Sequence, residues 1–274
     1  MPEPAPNAIE VTTLLIAAGL LLASVAGSLA RQKRTAVAVV GWMGILVGLA
    51  VLILHSIGRG AWLPLEDNFD ALGSLGLMLA GCALYIQGTR PVAGLDWFVL
   101  PVAALMLIAA AVFGSAMPRQ YRETAWSFTH RLTAYGGALA LAIAGAVGAM
   151  YLVADRRVRD KRLLPGRGLG NLERLENIAQ HSLALGWPLF TIGLITGILW
   201  GIDLMDVHGA AATREFFGPK VLLAVGVWIV FAFALHTPIN PSFRGRKAAV
   251  LSLIGLVLVG FTLVAVQFMP GGAH

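Results

Sequence analysis

Six histidines stand at or near the ends of long apolar runs, where ionisable side chains are costly and usually functional. They are His55, His130, His181, His208, His236 and His274. A lone histidine at such a place is often just solvated among lipid headgroups, but neutral imidazole is also a common ligand of transition metals and heme iron. Neither H-x-x-E-H nor H-E-x-x-H occurs, so a hydrolytic zinc site is not favoured. Paired histidines in an apolar bundle suit a flat hydrophobic macrocycle such as heme better than they suit a hydrolytic zinc ion.

Composition narrows the class of protein that could hold these histidines. The 274 residues are 58% hydrophobic and 12% charged, with a mean hydropathy of +0.79, which is typical of a membrane protein and not of a soluble one. The net charge is +6, but the basic residues form short clusters between apolar runs, so we predict no nucleic-acid partner. The single cysteine, Cys82, excludes an internal disulfide and a CxxC motif, so any thiol chemistry needs another chain.

Apolar runs long enough to cross a bilayer as helices recur along the whole chain. The N-terminal stretch "MPEPAPNAIE" lacks a basic region, so we expect no cleaved signal peptide and a retained first helix. We therefore predict an all-α integral membrane protein, one domain over residues 1–274 and a bundle of eight transmembrane helices. The predicted spans are 10–30, 35–57, 68–88, 95–117, 130–154, 179–200, 219–237 and 247–269.

The basic residues predict how the chain is oriented. Alternate connections carry 14 and 6 of the 20 lysines and arginines, and the positive-inside rule assigns the richer set to the cytoplasm. Both termini then lie outside. His181 and His236 fall near the inner ends of consecutive spans, and the other four histidines fall toward the outer face.

One connection allows two interpretations. The stretch "NLERLENIAQ" (171–180) is either a plain connector or a short amphipathic helix at the membrane surface, and we favour the connector.

A secondary transporter is a further alternative for the class of protein. The sequence shows no internal repeat, no paired Gly/Pro interruptions and no mid-membrane carboxylates, which argues against a secondary transporter.

Five stretches of the chain carry distinctive motifs. The most specific is "LENIAQHSLALGWPLFTIGLITGILWG" (175–201), which contains Trp200. The others are "LPLEDNFDALGSL" (63–75), "AWSFTHRLTAYGGALAL" (125–141), "FALHTPINPSFRGRKAAVLSLIGL" (233–256) and "FMPGGAH" (268–274). In this order they resemble the motifs of the CcsA/ResC-type cytochrome c-assembly family of membrane proteins. The 175–201 stretch is similar to the family's G-F-P-L-L-T-x-G-I-x-T-G-x-x-W segment, and the similarity runs from about residue 54 to residue 274.

The resemblance implies roles for individual residues. His130 and His274 stand at the family's two external histidines, which implies that they are axial ligands of heme iron at the outer face. His236 stands at the family's histidine within the membrane, whose partner belongs to a companion subunit. His181 replaces the arginine usual in the family and is our candidate for an internal partner. His55 is a further candidate for the outer set.

One departure from the family concerns the outer heme platform, a tryptophan-rich loop W-G-x-x-W-x-W-D-P-K. In this chain the loop's own tryptophans are absent, and Gly218 stands in place of the aspartate. Phe216 and Phe217 are the candidates to supply apolar surface there. The departure leaves open an alternative function, a non-catalytic HemX-like membrane adaptor or regulator of tetrapyrrole metabolism.

The resemblance also implies the activity and the partners. It implies heme binding, heme transport and presentation of heme for covalent attachment to apocytochrome c outside the cytoplasmic membrane. The chain would act with a separate CcsB/ResB-type subunit and a thiol-reducing partner protein, as a possible subunit of a cytochrome c synthase (heme lyase) complex. Whether it attaches heme or only relays it stays open.

Overall fold

The computed structural model describes residues 6–59, 68–114, 124–160, 171–208, 219–236 and 245–268. Within these ranges every regular element is an α-helix, which confirms the predicted all-α class. The helices are α1 (Ala8–Leu29), α2 (Arg34–Arg59), α3 (Asn68–Thr89), α4 (Leu95–Phe113), α5 (Ala125–Arg159), α6 (Leu172–His208), α7 (Pro219–Leu235) and α8 (Arg246–Phe268).

Six of the helices in the described ranges, α1 to α6, are long and apolar enough to cross a membrane. The chain is therefore a multi-pass helical membrane protein. The apolar part of α7, Val221–Leu235, is shorter. The exact number of eight spans and the outward position of both termini stay predictions.

Local sequence explains where the first helix begins and ends. Asn7 and Glu10 form a capping box, in which each side chain accepts a hydrogen bond from the other residue's backbone N–H. At the other end Arg31 adopts a positive φ of 57°, and the N–H groups of Arg31 and Gln32 donate to the carbonyls of Ser28 and Gly27. This is the Schellman arrangement that satisfies the last carbonyls of a helix.

The sixth helix corrects one interpretation made from the sequence. The stretch 171–180 was interpreted as a connector, but α6 begins at Leu172 and continues without interruption through Pro188 to His208. The apolar side of this first part is buried, since Leu175 and Leu183 are fully covered. Burial of these leucines makes the segment part of the helix core, and the connector interpretation was wrong.

The chain divides into two compact units, Met1–Arg119 with Arg157–Asn171, and Gln120–Arg156 with Leu172–His274. Unit 1 contains α1 to α4, in which α1 packs on α2 and α4, and α3 packs on α2 and α4. Its helices approach closely at glycines: a Cβ on Gly44 would lie 3.0 Å from the Ala17 carbonyl oxygen. The prediction of one domain over residues 1–274 stays a prediction.

Unit 2 contains α5 to α8 and is also held together at small residues. A Cβ on Gly137 of α5 would lie 2.7 Å from the backbone nitrogen of Phe190 in α6. A Cβ on Gly148 would lie 2.9 Å from the Ala249 carbonyl oxygen in α8. Glycine is required at both places because backbone, which moves little, is the neighbour. These contacts place α6 and α8 directly against α5.

Candidate functional site

His130 lies in the second turn of α5 and reaches across to α6. Its Nδ1 is 2.7 Å from the carbonyl oxygen of Gly193. A carbonyl oxygen only accepts, so Nδ1 carries the proton and the neutral ring has its lone pair on Nε2. This is the arrangement in which a backbone carbonyl orients a histidine and raises its basicity as a metal ligand.

The His130 ring lies against a small surface of α6 formed by Gly193, Gly197 and Trp200, which we call its seat. A Cβ on Gly197 would lie 2.8 Å from both Cε1 and Nδ1 of His130. The Trp200 ring is tilted by 35° to the imidazole, with 6.0 Å between ring centroids. Gly193, Gly197 and Trp200 are spaced four and three residues apart, so they share one face of the helix. The motif noted in the sequence therefore builds the seat of His130.

His181 and His236 have the same local geometry as each other. In each, Nδ1 lies 2.7 Å from a backbone carbonyl oxygen of its own helix, that of Asn177 for His181 and that of Ala232 for His236. Both side chains are exposed. As for His130, the carbonyl assigns a proton to Nδ1, which leaves Nε2 as the ring nitrogen not bound to the helix.

An aromatic pair joins α6 and α7 in unit 2. The rings of Trp187 and Trp228 have centroids 5.3 Å apart and planes inclined by 31°. The Trp228 indole N–H donates to the Thr191 hydroxyl at 2.9 Å, and that hydroxyl donates to the Trp187 carbonyl at 2.7 Å. Sequence reasoning missed Trp187, although tryptophan beside Pro188 in the most specific motif was a visible signal.

His55 belongs to unit 1, where it is 3% exposed. Its Nδ1 lies 3.0 Å from a carboxylate oxygen of Glu10, and its ring is 4.9 Å from that of Phe69. The next residue on α2, Ser56, approaches the fully buried Asp70 of α3 at 3.5 Å. One end of unit 1 thus holds a buried polar cluster contributed by three helices. Sequence reasoning missed the role of Glu10, because only folding brings α1 to α2.

The remaining predicted site residues, His274, Phe216 and Phe217, lie outside the described residues. Within the described ranges no group of three or more His, Cys, Asp or Glu side chains is placed to hold a metal ion. The structure therefore brings His130 together with Trp200, and it joins His55 to Glu10 in the other unit. His181 and His236 present single imidazoles.

The described histidines fit the chemistry of heme ligation. A heme ligand needs a neutral imidazole with a defined tautomer in an apolar setting. The carbonyls of Gly193, Asn177 and Ala232 define that tautomer for His130, His181 and His236. The helices that carry these three histidines are otherwise apolar over the length of a span or close to it. Single imidazoles on apolar helices suit an iron held mainly by its macrocycle better than a metal ion held only by protein ligands.

The chain is similar to several proteins of the same printed name. The chain is 24% identical over 241 residues to the cytochrome c biogenesis protein CcsA of Guillardia theta, covering 79% of this chain and 77% of that protein. For the protein of that name from Chlamydomonas reinhardtii the identity is 21%, covering 82% of this chain and 64% of the relative. For Pyropia yezoensis the identity is 32%, covering 38% and 30%.

The chain thus covers less than two thirds of the length of the Chlamydomonas and Pyropia relatives. No solved structure matches it significantly. The family model described as cytochrome C assembly protein matches residues 7–274, which include all six histidines, all of unit 2 and unit 1 from residue 7 onward. This protein therefore belongs to the cytochrome c assembly protein family.

Proposed function

We propose that this protein binds heme and presents it for covalent attachment to apocytochrome c at the outer face of the cytoplasmic membrane. The observation that carries the proposal is the seat of His130, whose Nδ1 donates to the Gly193 carbonyl and whose ring lies against Gly197. That seat fixes the tautomer and the ring position that an axial ligand requires. The names of the relatives point to cytochrome c biogenesis and do not favour the HemX-like alternative.

In this proposal the histidines have separate tasks. His130 and His274 would hold the iron at the outer face, and His236 would hold it near the inner face. Trp200 lies beside the His130 ring and provides apolar surface, and Phe216 and Phe217 contribute to the outer platform. His55 is the remaining candidate for the outer set.

The chain's part in attachment is positioning. When bound, heme would supply two vinyl groups, and the S–H of each apocytochrome cysteine would add across one of them. The residues of this chain orient the macrocycle, exclude water and tune the iron through the basicity of their imidazoles. Because the single cysteine is Cys82 in α3, the reduced thiols are supplied by the apocytochrome and a thiol-reducing partner.

The proposal also specifies the membrane topology of the chain and its partner subunit. The basic connections lie in the cytoplasm, and both termini and the connection between α6 and α7 lie outside the cytoplasmic membrane. A separate CcsB/ResB-type subunit completes the assembly. The membrane-spanning helices and the family support this arrangement at the level of a multi-pass membrane protein.

A maturation assay tests the function. The chain is produced with a CcsB/ResB-type subunit and an apocytochrome c in cells without their own assembly proteins, and covalent heme is detected on the denatured cytochrome. We expect holocytochrome with the wild type and at least a tenfold loss with His130→Ala. Equal maturation by the wild type and by cells lacking the chain would reject the proposal.

A further inference from the structure

The two exposed histidines of unit 2 lie at the same level on two neighbouring helices, α6 and α7. These helices pack together and are joined by only ten residues, so they run antiparallel. Trp228 of α7 contacts both Trp187 and Thr191 of α6, so it lies level with the turn between them. His236 is eight residues beyond Trp228, which is about 12 Å along a helix. His181 lies six residues before Trp187 and ten before Thr191, which is about the same distance in the same direction.

The neighbours of α6 show which side of that helix His181 occupies. Gly186 and Gly197 face α5, and Trp187 and Thr191 face α7. At about 100° per residue, His181 lies about 100° past the direction of α7, on the side away from α5. It shares that side with the exposed residues Leu185, Ile192 and Leu199.

The neighbours of α7 place His236 on the corresponding side. Trp228 faces α6, and Phe231 packs on Gly255 of α8. His236 lies about 80° from the direction of Trp228, in the sense opposite to Phe231. It shares this side with Ile229 and Phe233, which are 43% and 64% exposed. His236 therefore lies on the side of α7 away from α8.

The position of α8 shows that His181 on α6 and His236 on α7 lie on the same side of this helix pair. At the end of α6 that carries His181, the residues Glu176 and Ala179 line a crevice together with Ala249 and Ser252 of α8. α8 and α5 therefore cover one side of the α6–α7 pair. His181 and His236 both project from the other side, at one level.

Both imidazole rings also make the same hydrogen bond, which leaves Nε2 as the nitrogen that could bind a metal. Each Nδ1 is bound by a carbonyl of its own helix at 2.7 Å. Within the described ranges no hydrogen bond to Nε2 of either ring is present. Two imidazoles, each with its Nδ1 bound to a backbone carbonyl, thus project side by side from one face of a helix pair.

From this juxtaposition we infer that His181 and His236 are the two axial ligands of one heme iron, so that this single chain completes its inner heme site. The inference rests on the proposed function, because it takes heme as the ligand. It differs from the family pattern, in which an arginine stands at the position of His181 and the partner of His236 comes from another subunit.

The test uses the full-length chain, purified from heme-replete cells, in a His130→Ala/His274→Ala background that leaves only the inner site. We expect a six-coordinate, low-spin absorption and EPR signature with bound heme. His181→Ala is expected to convert the iron to five-coordinate, high-spin heme, and added imidazole to restore the low-spin spectrum. Ser182→Ala, at the next position of the same helix, is the control and is expected to leave the spectrum unchanged.

A ligand exchange separates ligation from folding. His181→Met keeps the side chain a possible ligand, and it is expected to give a methionine-to-iron charge-transfer band and a higher midpoint potential. If His181→Ala and His181→Met keep the wild-type low-spin spectrum while His236→Ala loses it, the inference is overturned and the proposed function stands. If neither the wild-type protein nor the His130→Ala/His274→Ala variant contains heme after purification from heme-replete cells, both the inference and the proposed function are overturned.

Discussion

His130 donates a hydrogen bond of 2.7 Å from Nδ1 to the carbonyl oxygen of Gly193. The two residues lie on different helices, and the bond is possible because glycines let α5 and α6 approach closely. A Cβ on Gly193 would lie 2.9 Å from the backbone of Ala134. The same glycine-mediated contact between α5 and α6 therefore packs the two helices together and orients the His130 ring.

The first prediction concerns the seat of the His130 ring. Gly197→Ala would place a methyl group 2.8 Å from two ring atoms, so the ring must shift and its hydrogen bond to Gly193 must weaken. We expect at least a threefold loss of outer-site heme per protein, measured by heme extraction from the purified His236→Ala variant. Gly226→Ala, whose added Cβ meets nothing within 4 Å, is the control and should retain the heme.

The second prediction concerns the packing of α5 on α6 and uses two adjacent glycines. A Cβ on Gly137 would lie 2.7 Å from the backbone of Phe190, whereas a Cβ on Gly136 would meet only a Leu189 methyl group at 3.7 Å. We expect Gly137→Ala to destabilise the protein by roughly 1–3 kcal/mol and Gly136→Ala to be neutral or slightly stabilising. Thermal unfolding in detergent measures both, and equal melting temperatures would contradict the packing described.

The third prediction concerns the aromatic pair between α6 and α7. Trp228→Phe removes the N–H that donates to Thr191 and part of the ring contact with Trp187. We expect a loss of about 1–2 kcal/mol of stability. A double-mutant cycle with Thr191→Val should show that the two substitutions are not additive. Additive losses would mean that the hydrogen bond contributes nothing.

The fourth prediction concerns the polar cluster of unit 1. His55→Ala leaves the Glu10 carboxylate without its partner from α2, and Glu10→Gln weakens the same contact of 3.0 Å. We expect each substitution to lower the melting temperature and the double variant to be no worse than His55→Ala alone. Heme content measured on the same samples tests separately whether His55 also belongs to the outer set.

The sequence predicts the helices well because their signal is local. Apolar runs of about 20 residues and the charges between them identify each helix to within a few residues, except where α5 and α6 extend beyond the expected spans. The start of α6 was missed because the side of 171–180 that bears Leu175 becomes apolar core only when the other helices cover it.

The candidate site was predictable in residue type but not in arrangement. The resemblance singled out His130, His181 and His236, and their order along the chain was visible in the sequence. The bonds that fix their tautomers depend on helix register and on contacts between helices. The pairing of Glu10 with His55 spans 45 residues, and no local pattern indicates it.

The most direct test of the central claim is the absorption spectrum of the purified wild-type protein beside those of His130→Ala and His236→Ala. We predict a bis-histidine Soret band in the wild type, a partial loss in each single variant and an almost complete loss when both histidines are replaced. A wild-type protein from heme-replete cells that contains no heme, or a band that survives both substitutions, would contradict the assignment of these histidines as heme ligands.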